Sequence, residues 1–440
     1  MCLLATCIFC AYSYARLHLQ SVERGWRYRI MKLFIGIDSS QKNNQCCIVD
    51  HNGNKVSELR VSNDLPGAQK MQALIEHKAS EFYVTELKAA TEASSMYDFH
   101  ILEFLSGSQT LTKYNLKLYR FNPRLIKAFK QSLKIRDKTD PNDAYAIAEY
   151  LRFQSEKAEE YRAKLDHLPL QRLTRFRCHL VSQLVRERNY FLNQLFLKFS
   201  AFSKVKPFSD TFGATALAVI EEFMTPDAIA NADDEELIQF VIKHGKNQFP
   251  NPEEIVKELK YVARESYRLR PQLAESVHRI LCLSLSNIRA LKSSLKELDD
   301  TISKQLNAFS ITLTSIKGIG TVYAAGIFAE IGDINCFSSE SQIARLAGLA
   351  WIRHQSGNFE AETRRLDKQS NKYLRYYLVE AADSLRRHNP EFSAYYQKKY
   401  AEVTKNQHKR ALVLTARKLV RLVDYLLRTN KLYQPNIILT

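Results

Sequence analysis

The segment LFIGIDSSQKNNQCCIVDHNGNKVSELRV, residues 33–61, holds three runs with strand character. LFIGID (33–38) is short, apolar and ends in an acid. QCCIVD (45–50) and KVSELRV (55–61) flank Asn52-Gly53, a dipeptide favoured in tight hairpin turns because both residues tolerate positive φ. Beyond the hairpin, the pattern predicts a helix near 65–77 and a strand at EFYVTEL (81–87). A helix through SSMYDFHILEFL (94–105), a strand at LKLYRF (116–121) and a helix at RLIKAFKQSL (124–133) follow. Three antiparallel strands, then alternating helix and strand, imply a mixed sheet covered by helices.

KTDPNDAYAIAEYL (138–151) closes this α/β unit with a helix that opens on two acids. Capping is one account of them. Asp140 can accept from the free amides of the first turn, Pro141 suits the first helical position, and Asp143 favours the positive end of the dipole. The other account is that Asp140 and Asp143 share one face of the helix start and point together at a cation. The element order, which is that of ribonuclease-H-like nucleases, favours the cation. It places Asp38 at the end of the first central strand, Glu86 and Glu92 behind the fourth, and Asp140 and Asp143 on the last helix. Carboxylates gathered in this way repel one another unless cations separate them, and two Mg²⁺ ions about 4 Å apart would neutralise them.

Charge points the same way. The 440 residues include 64 Lys+Arg against 47 Asp+Glu, a net +17. Residues 351–440 hold 18 Lys/Arg and 8 Asp/Glu, so +10 of that total lies in the last fifth of the chain. An excess of this kind suits nucleic acid better than a membrane, since no basic amphipathic helix stands apart. The eight cysteines supply no paired metal motif: Cys7 and Cys10 come closest, but apolar residues separate them and no second pair follows. Reduced thiols and a cytoplasmic setting are expected. The opening MCLLATCIFCAYSYA is too short to span a bilayer and lacks the basic start of a secretory signal, so residues 1–30 are expected to be an unstructured extension.

Residues 156–310 read as helical. Leu173, Phe176, Leu180 and Leu184 recur at spacings of three and four, Phe191 and Leu195 resume the stripe, and Ile288, Leu291, Leu295, Leu298 and Ile302 keep a heptad. Such stripes suit packing within the chain or a coiled coil between subunits equally well. The proline-interrupted stretch 200–265 resembles an inserted helical subdomain. In LTSIKGIGTVYAAGIFAEIGD (313–333), Gly318 and Gly320 separate two apolar helical stretches. That is either a tight turn or a helix-hairpin-helix, whose bare amides would meet a phosphate. Arg353, Arg364, Arg365, Lys368, Lys372 and Arg375 surround a polar loop holding Ser356-Gly357. A serine before glycine is ordinarily a turn residue, and no His/Asp pair at a hydrolase spacing supports a triad.

The ordered set IGID, E-A-S-S-x-Y, KTDPNDA, IKGIG, AEIGD, LAGLAW, QSGNF and YLRYYLVEAA resembles the DEDD-type insertion-sequence transposases of the IS-one-ten family, over 31 to about 435. The resemblance implies a RuvC-like domain over 31–155, a helical coiled-coil domain over 156–310 and a C-terminal transposase domain with a serine loop over 311–440. It implies Asp38, Glu92, Asp140 and Asp143 as the Mg²⁺-binding acids and Ser356 as the nucleophile. Glu86, nearer the expected strand end, competes with Glu92 for second place. Lys317 stands where the family commonly has proline and Gln355 where a second serine is frequent; neither change removes a reacting group. The partners implied are donor and target DNA, a structured bridge RNA and further copies of the chain, as a dimer or tetramer in the bacterial cytoplasm. Gly318, Gly320 and the six cations around Ser356 become nucleic-acid contacts. Two other readings compete: a ribonuclease-H-fold nuclease or junction resolvase in which water attacks and Ser356 is inert, and a nucleic-acid-binding protein without activity.

Overall fold

β1 (Lys32–Ser39) lies at the centre of a five-stranded sheet, between β2 (Asn43–Val49) and β4 (Glu86–Glu92), with β3 (Lys55–Ser62) outside β2 and β5 (Lys117–Phe121) outside β4. The first three strands are antiparallel, and β1, β4 and β5 run parallel. The β2–β3 turn closes where Gly53 takes a φ of +91° and the Asp50 carboxylate accepts from the amides of Asn52 and Asn54. α1 (Leu65–Glu81) and α2 (Phe99–Ser106) link the parallel strands; α3 (Pro123–Ser132) and α4 (Asp140–Gln154) complete the unit. The computed structural model describes residues 31–440 except 94–95, 134–136, 138, 162–165, 353–354, 357–358, 361–364, 367–369 and 436–440. The extension expected over 1–30 lies outside the described residues. The chain divides into two compact units at residues 163/164.

Alternation sorts the two faces of the sheet. Leu33, Ile35 and Ile37 pack with Met71, Ile75, Ile101 and Leu105 of α1 and α2. Phe34 and Ala90 pack on the other face with Ala144, Ile147, Ala148 and Leu151 of α4. Burial on both faces explains why β1 reads as a continuous apolar run.

The fourth strand is not EFYVTEL. α1 continues to Glu81, Tyr83 turns the chain with a φ of 50° while 87% exposed, and the strand is ELKAATE, Glu86–Glu92. Its composition is poor in β-formers, but the site is buried on both sides, and Ala89 and Ala90 fit there without crowding the covering helices. Burial outweighs propensity.

In the second unit α5 (Leu168–Lys198) and α6 (Pro271–Leu306) pack antiparallel against each other. Leu180 meets Leu298 and Ile302 in one core, and Phe191 and Leu195 meet Leu285 and Ile288 in another. Arg177 and Asp299 pair between them at 2.5 Å. Phe176 leaves the stripe, 53% exposed. Five helices between residues 202 and 265 fill the interval. Then come α7 (Thr321–Ile331), α8 (Glu340–Leu346), α9 (Lys372–His388), α10 (Pro390–Ala401) and α11 (Gln407–Thr429). Of the two helical stretches expected around the glycines, the second is α7, and the first is a single turn of 3-10 helix, Leu313–Ser315. Among the described residues no helix is long and apolar enough to cross a membrane.

Candidate active site

One end of the sheet gathers the acids. The parallel pairing of β1 with β4 runs to Ile37 opposite Thr91, so Asp38 and Glu92 are the next residues on neighbouring strands. Asp38 lies two residues beyond Gly36, and Glu92 two beyond Ala90, which puts both on the face covered by α4. The same cross-strand row continues through Gln45, which pairs with Asp38 on β1 and with Arg60 on β3.

α4 lies directly on this face. A Cβ on Gly36 would come within 2.1 Å of the Ala144 carbonyl oxygen and 2.4 Å of the Ala148 nitrogen. Only glycine allows that approach. At the far end of α4, Arg152 donates to the His51 carbonyl beside the β2–β3 turn, so the helix start points toward Asp38 and Glu92. Arg60 Nη2 confirms the direction, standing 3.6 Å from Asp140 Oδ2. Thr139 occupies the cap position without a side-chain hydrogen bond, and Asp140 and Asp143 lie in the first turn. Asp140 is therefore not the N-cap residue that the capping account made it.

Two cations stand among these acids that the sequence did not single out. Arg60 pairs with Asp140 where both side chains are exposed. Lys130, in the last turn of α3, pairs with Asp143. Phe129 packs edge-on against Tyr150 and Phe153 in the second half of α4, and the neighbouring Lys130 reaches back to Asp143 in its first turn. Neither pair follows a helical spacing, so no local pattern could reveal it.

Glu86 lies at the opposite end of β4. Lys117 reaches it at 2.7 Å, Lys32 at 2.9 Å and Lys88 at 3.8 Å. Burial alone would raise its carboxyl, but the ammonium groups of Lys117 and Lys32 outweigh that and hold it below the usual carboxylate range.

In the second unit Ser356 belongs to β7 (Gln355–Ser356), paired with β8 (Phe359–Glu360) so that Ser356 faces Phe359. A second ladder, β6 (Trp351–Ile352) with β9 (Arg365–Leu366), encloses the first. The stretch that reads as a polar loop, the serine arm, thus holds two short ladders, with Ser356 paired to Phe359 in the inner one. Arg353, Arg364, Lys368 and Gly357 lie outside the described residues; Arg365 is placed by its backbone in β9.

The arm's base is held firmly. Arg375 donates to the carbonyls of Ala347 and Gly348, and the Asn371 amide donates to the Leu346 carbonyl. Asn371 also caps α9 and donates to the buried Glu330, which Arg175 grips at 2.7 and 2.8 Å. Arg375 is therefore engaged with main chain, while Lys372 opens α9 beside Tyr373. Gly318 takes a φ of +105°, and Gly320 precedes α7 with no side chain to cap its first amides.

Residues 35–199 match a family model described as Transposase of the DEDD IS110 type, and residues 311–397 match one described as Transposase IS116/IS110/IS902 family. The insertion element IS900 uncharacterized 42 kDa protein of Mycobacterium paratuberculosis is 24% identical over 92% of this chain and 97% of its own length. The insertion element IS116 uncharacterized 44.8 kDa protein of Streptomyces clavuligerus is 22% identical over 92% and 96%. The transposase for insertion sequence element IS1111A of Coxiella burnetii is 29% identical over 29% and 34%. T. thermophilus RuvC in complex with Holliday junction substrate is similar at a TM-score of 0.24 and 13% identity, over 30% of this chain and 99% of that one. The fold stands on the strand order, not on that last likeness. These matches define a DNA transposase of an insertion sequence. The chain belongs to the IS110 family of DEDD transposases.

A DEDD site implies a divalent metal. The donors fit in kind, being hard carboxylate oxygens, and the chain brings them to one end of the sheet. They are not assembled as a cage: among the described residues no three acids, histidines or cysteines stand close enough to hold an ion.

Proposed function

We propose that this transposase cuts and rejoins DNA strands with Ser356 as its nucleophile and with Asp38, Glu92, Asp140 and Asp143 holding Mg²⁺. The observation that carries the reading is the meeting of two strand ends and one helix start from three separate segments at a single edge of the sheet. Bound Mg²⁺ would supply charge to neutralise a phosphate and polarise it for attack. The serine hydroxyl gives up its proton as the Oγ–P bond forms. The bond from phosphorus to the departing strand oxygen breaks, and that oxygen takes up a proton. The phosphoserine ester conserves the phosphodiester bond energy, which permits exchange of ends without ATP.

Support for a held serine arm comes from its base, where Arg375 and the Asn371 amide bond the carbonyls of residues 346–348. The cations around it, with Lys372 and the Gly318–Gly320 turn, suit donor and target DNA and a structured bridge RNA. An excess of +17 predicts binding that weakens steeply with salt. Exchange between two DNAs calls for several copies, a dimer or tetramer, acting in the bacterial cytoplasm.

The test is a protein–DNA adduct that survives denaturing gels, with wild type compared against Ser356→Ala. We expect the adduct in wild type and its loss in the variant. An adduct that persists without the serine, or cleaved ends with no adduct under any condition, would replace serine by water.

A further inference from the structure

The Lys130–Asp143 pair is the part of the acid site that the DEDD reading leaves unexplained. Its side chains are 17% and 19% exposed, against 60% and 54% for Arg60 and Asp140. An open pair like the second contributes little, whereas a sheltered one is held in place. The pair is not needed to fasten α3 to α4. Phe129 already does so through Tyr150 and Phe153, at ring separations of 5.3 and 5.8 Å, and Ile126 is buried in the same core. Lys130 thus spends its charge on a carboxylate that the metal would need, on a surface meant for phosphate.

We propose that Lys130 is an exchangeable counter-cation of the acid site: it holds Asp143 in the metal-free protein and turns to the DNA phosphate when a divalent ion takes that carboxylate. This rests on the DEDD reading above. No bond is made or broken in the step; one ion pair is exchanged for another. The side chain suits the task, because an ammonium on a flexible four-carbon stem can swing between two anions where a guanidinium fork would be committed to one. Before metal arrives, the pairing lowers the repulsion among Asp38, Glu92, Asp140 and Asp143 and keeps the helix start in place. After it arrives, the freed ammonium adds a cation where negative charge grows during attack.

Competition makes a prediction that a merely structural lysine would not. In the full-length protein without DNA, Lys130→Met should bind Mn²⁺ about three- to tenfold more tightly by calorimetry, since the ion no longer displaces a resident charge. At saturating Mn²⁺, single-turnover DNA cleavage by the same variant should fall about tenfold or more, with partial recovery in Lys130→Arg. Lys130→Gln serves in place of the methionine variant if that one melts early. Equal or weaker Mn²⁺ binding in a folded Lys130 variant overturns the proposal, and so does cleavage at the wild-type rate. Asp143→Asn separates the two levels of argument. If it loses Mn²⁺ binding while Lys130→Met gains none, only the exchange falls. If it binds Mn²⁺ as wild type does, the DEDD assignment falls and the exchange with it.

Discussion

Glu86 and Glu92 bracket a single strand, and their surroundings could hardly differ more. Around Glu86 the sheet closes its own charge: Lys117, Lys32 and Lys88 converge on one carboxylate, and Lys88, 2% exposed, is also held by Ser155 and Glu156. Around Glu92 the fold does the reverse. It brings Asp38, Asp140 and Asp143 to the same end of the sheet, where Arg60 pairs with Asp140 and Lys130 with Asp143. A saturated ion network is a structural device, whereas acids delivered to one place by separate segments are the arrangement a cation site needs. The contrast is the reason to propose the Glu92 end of β4, and not the Glu86 end, as the acid site.

The largest expected effects lie at the acid end. Asp38→Asn and Asp143→Asn should each lower DNA cleavage by about a thousandfold or more, with far-ultraviolet circular dichroism unchanged. Full activity in either would return that acid to a local role and erase the contrast. Next comes the glycine that lets the helix start reach the acids. Gly36→Ala should cost about 2–3 kcal/mol in denaturant unfolding, because the added methyl has backbone, not a movable side chain, in its way. It should also slow cleavage, since α4 carries Asp140 and Asp143. Unaltered stability would mean that α4 does not sit on β1 as described.

The smallest effect is at the lysine end and shows in acid. A carboxyl held below its ordinary value of 4.5 contributes stability above that pH and loses it as pH falls through the folded value. Wild type should therefore lose stability below about pH 4.5 more steeply than Glu86→Gln, in melts taken at successive pH steps. Parallel curves would show that the lysines do not depress Glu86.

How much of this was legible in the sequence follows from how local each signal is. The hairpin around Asn52-Gly53 and the helix start at Asp140 rest on neighbouring residues, and both read directly. β4 did not. Phe82, Tyr83 and Val84 look like strand and ELKAATE does not, because what selects the strand is burial between two helical layers, which no local window contains. The misplacement made Glu86 look like a strand end when it is a strand start. The ladders around Ser356 have two residues per strand, too short for any period. Lys130 and Arg60 meet their acids across 13 and 80 residues, pairings that only the folded sheet makes. The family resemblance located Ser356 and chose Glu92; spacing alone would have left both open.

The most direct measurement sets Glu92→Gln beside Glu86→Gln, recording single-turnover DNA cleavage and thermal unfolding for both in the same buffer with saturating Mg²⁺. The account predicts that Glu92→Gln melts like wild type and loses cleavage by about a thousandfold. It predicts that Glu86→Gln cleaves at close to the wild-type rate once folded, and unfolds more readily by about 2 kcal/mol as its lysines lose their shared partner. Cleavage lost in Glu86→Gln and retained in Glu92→Gln would contradict it outright.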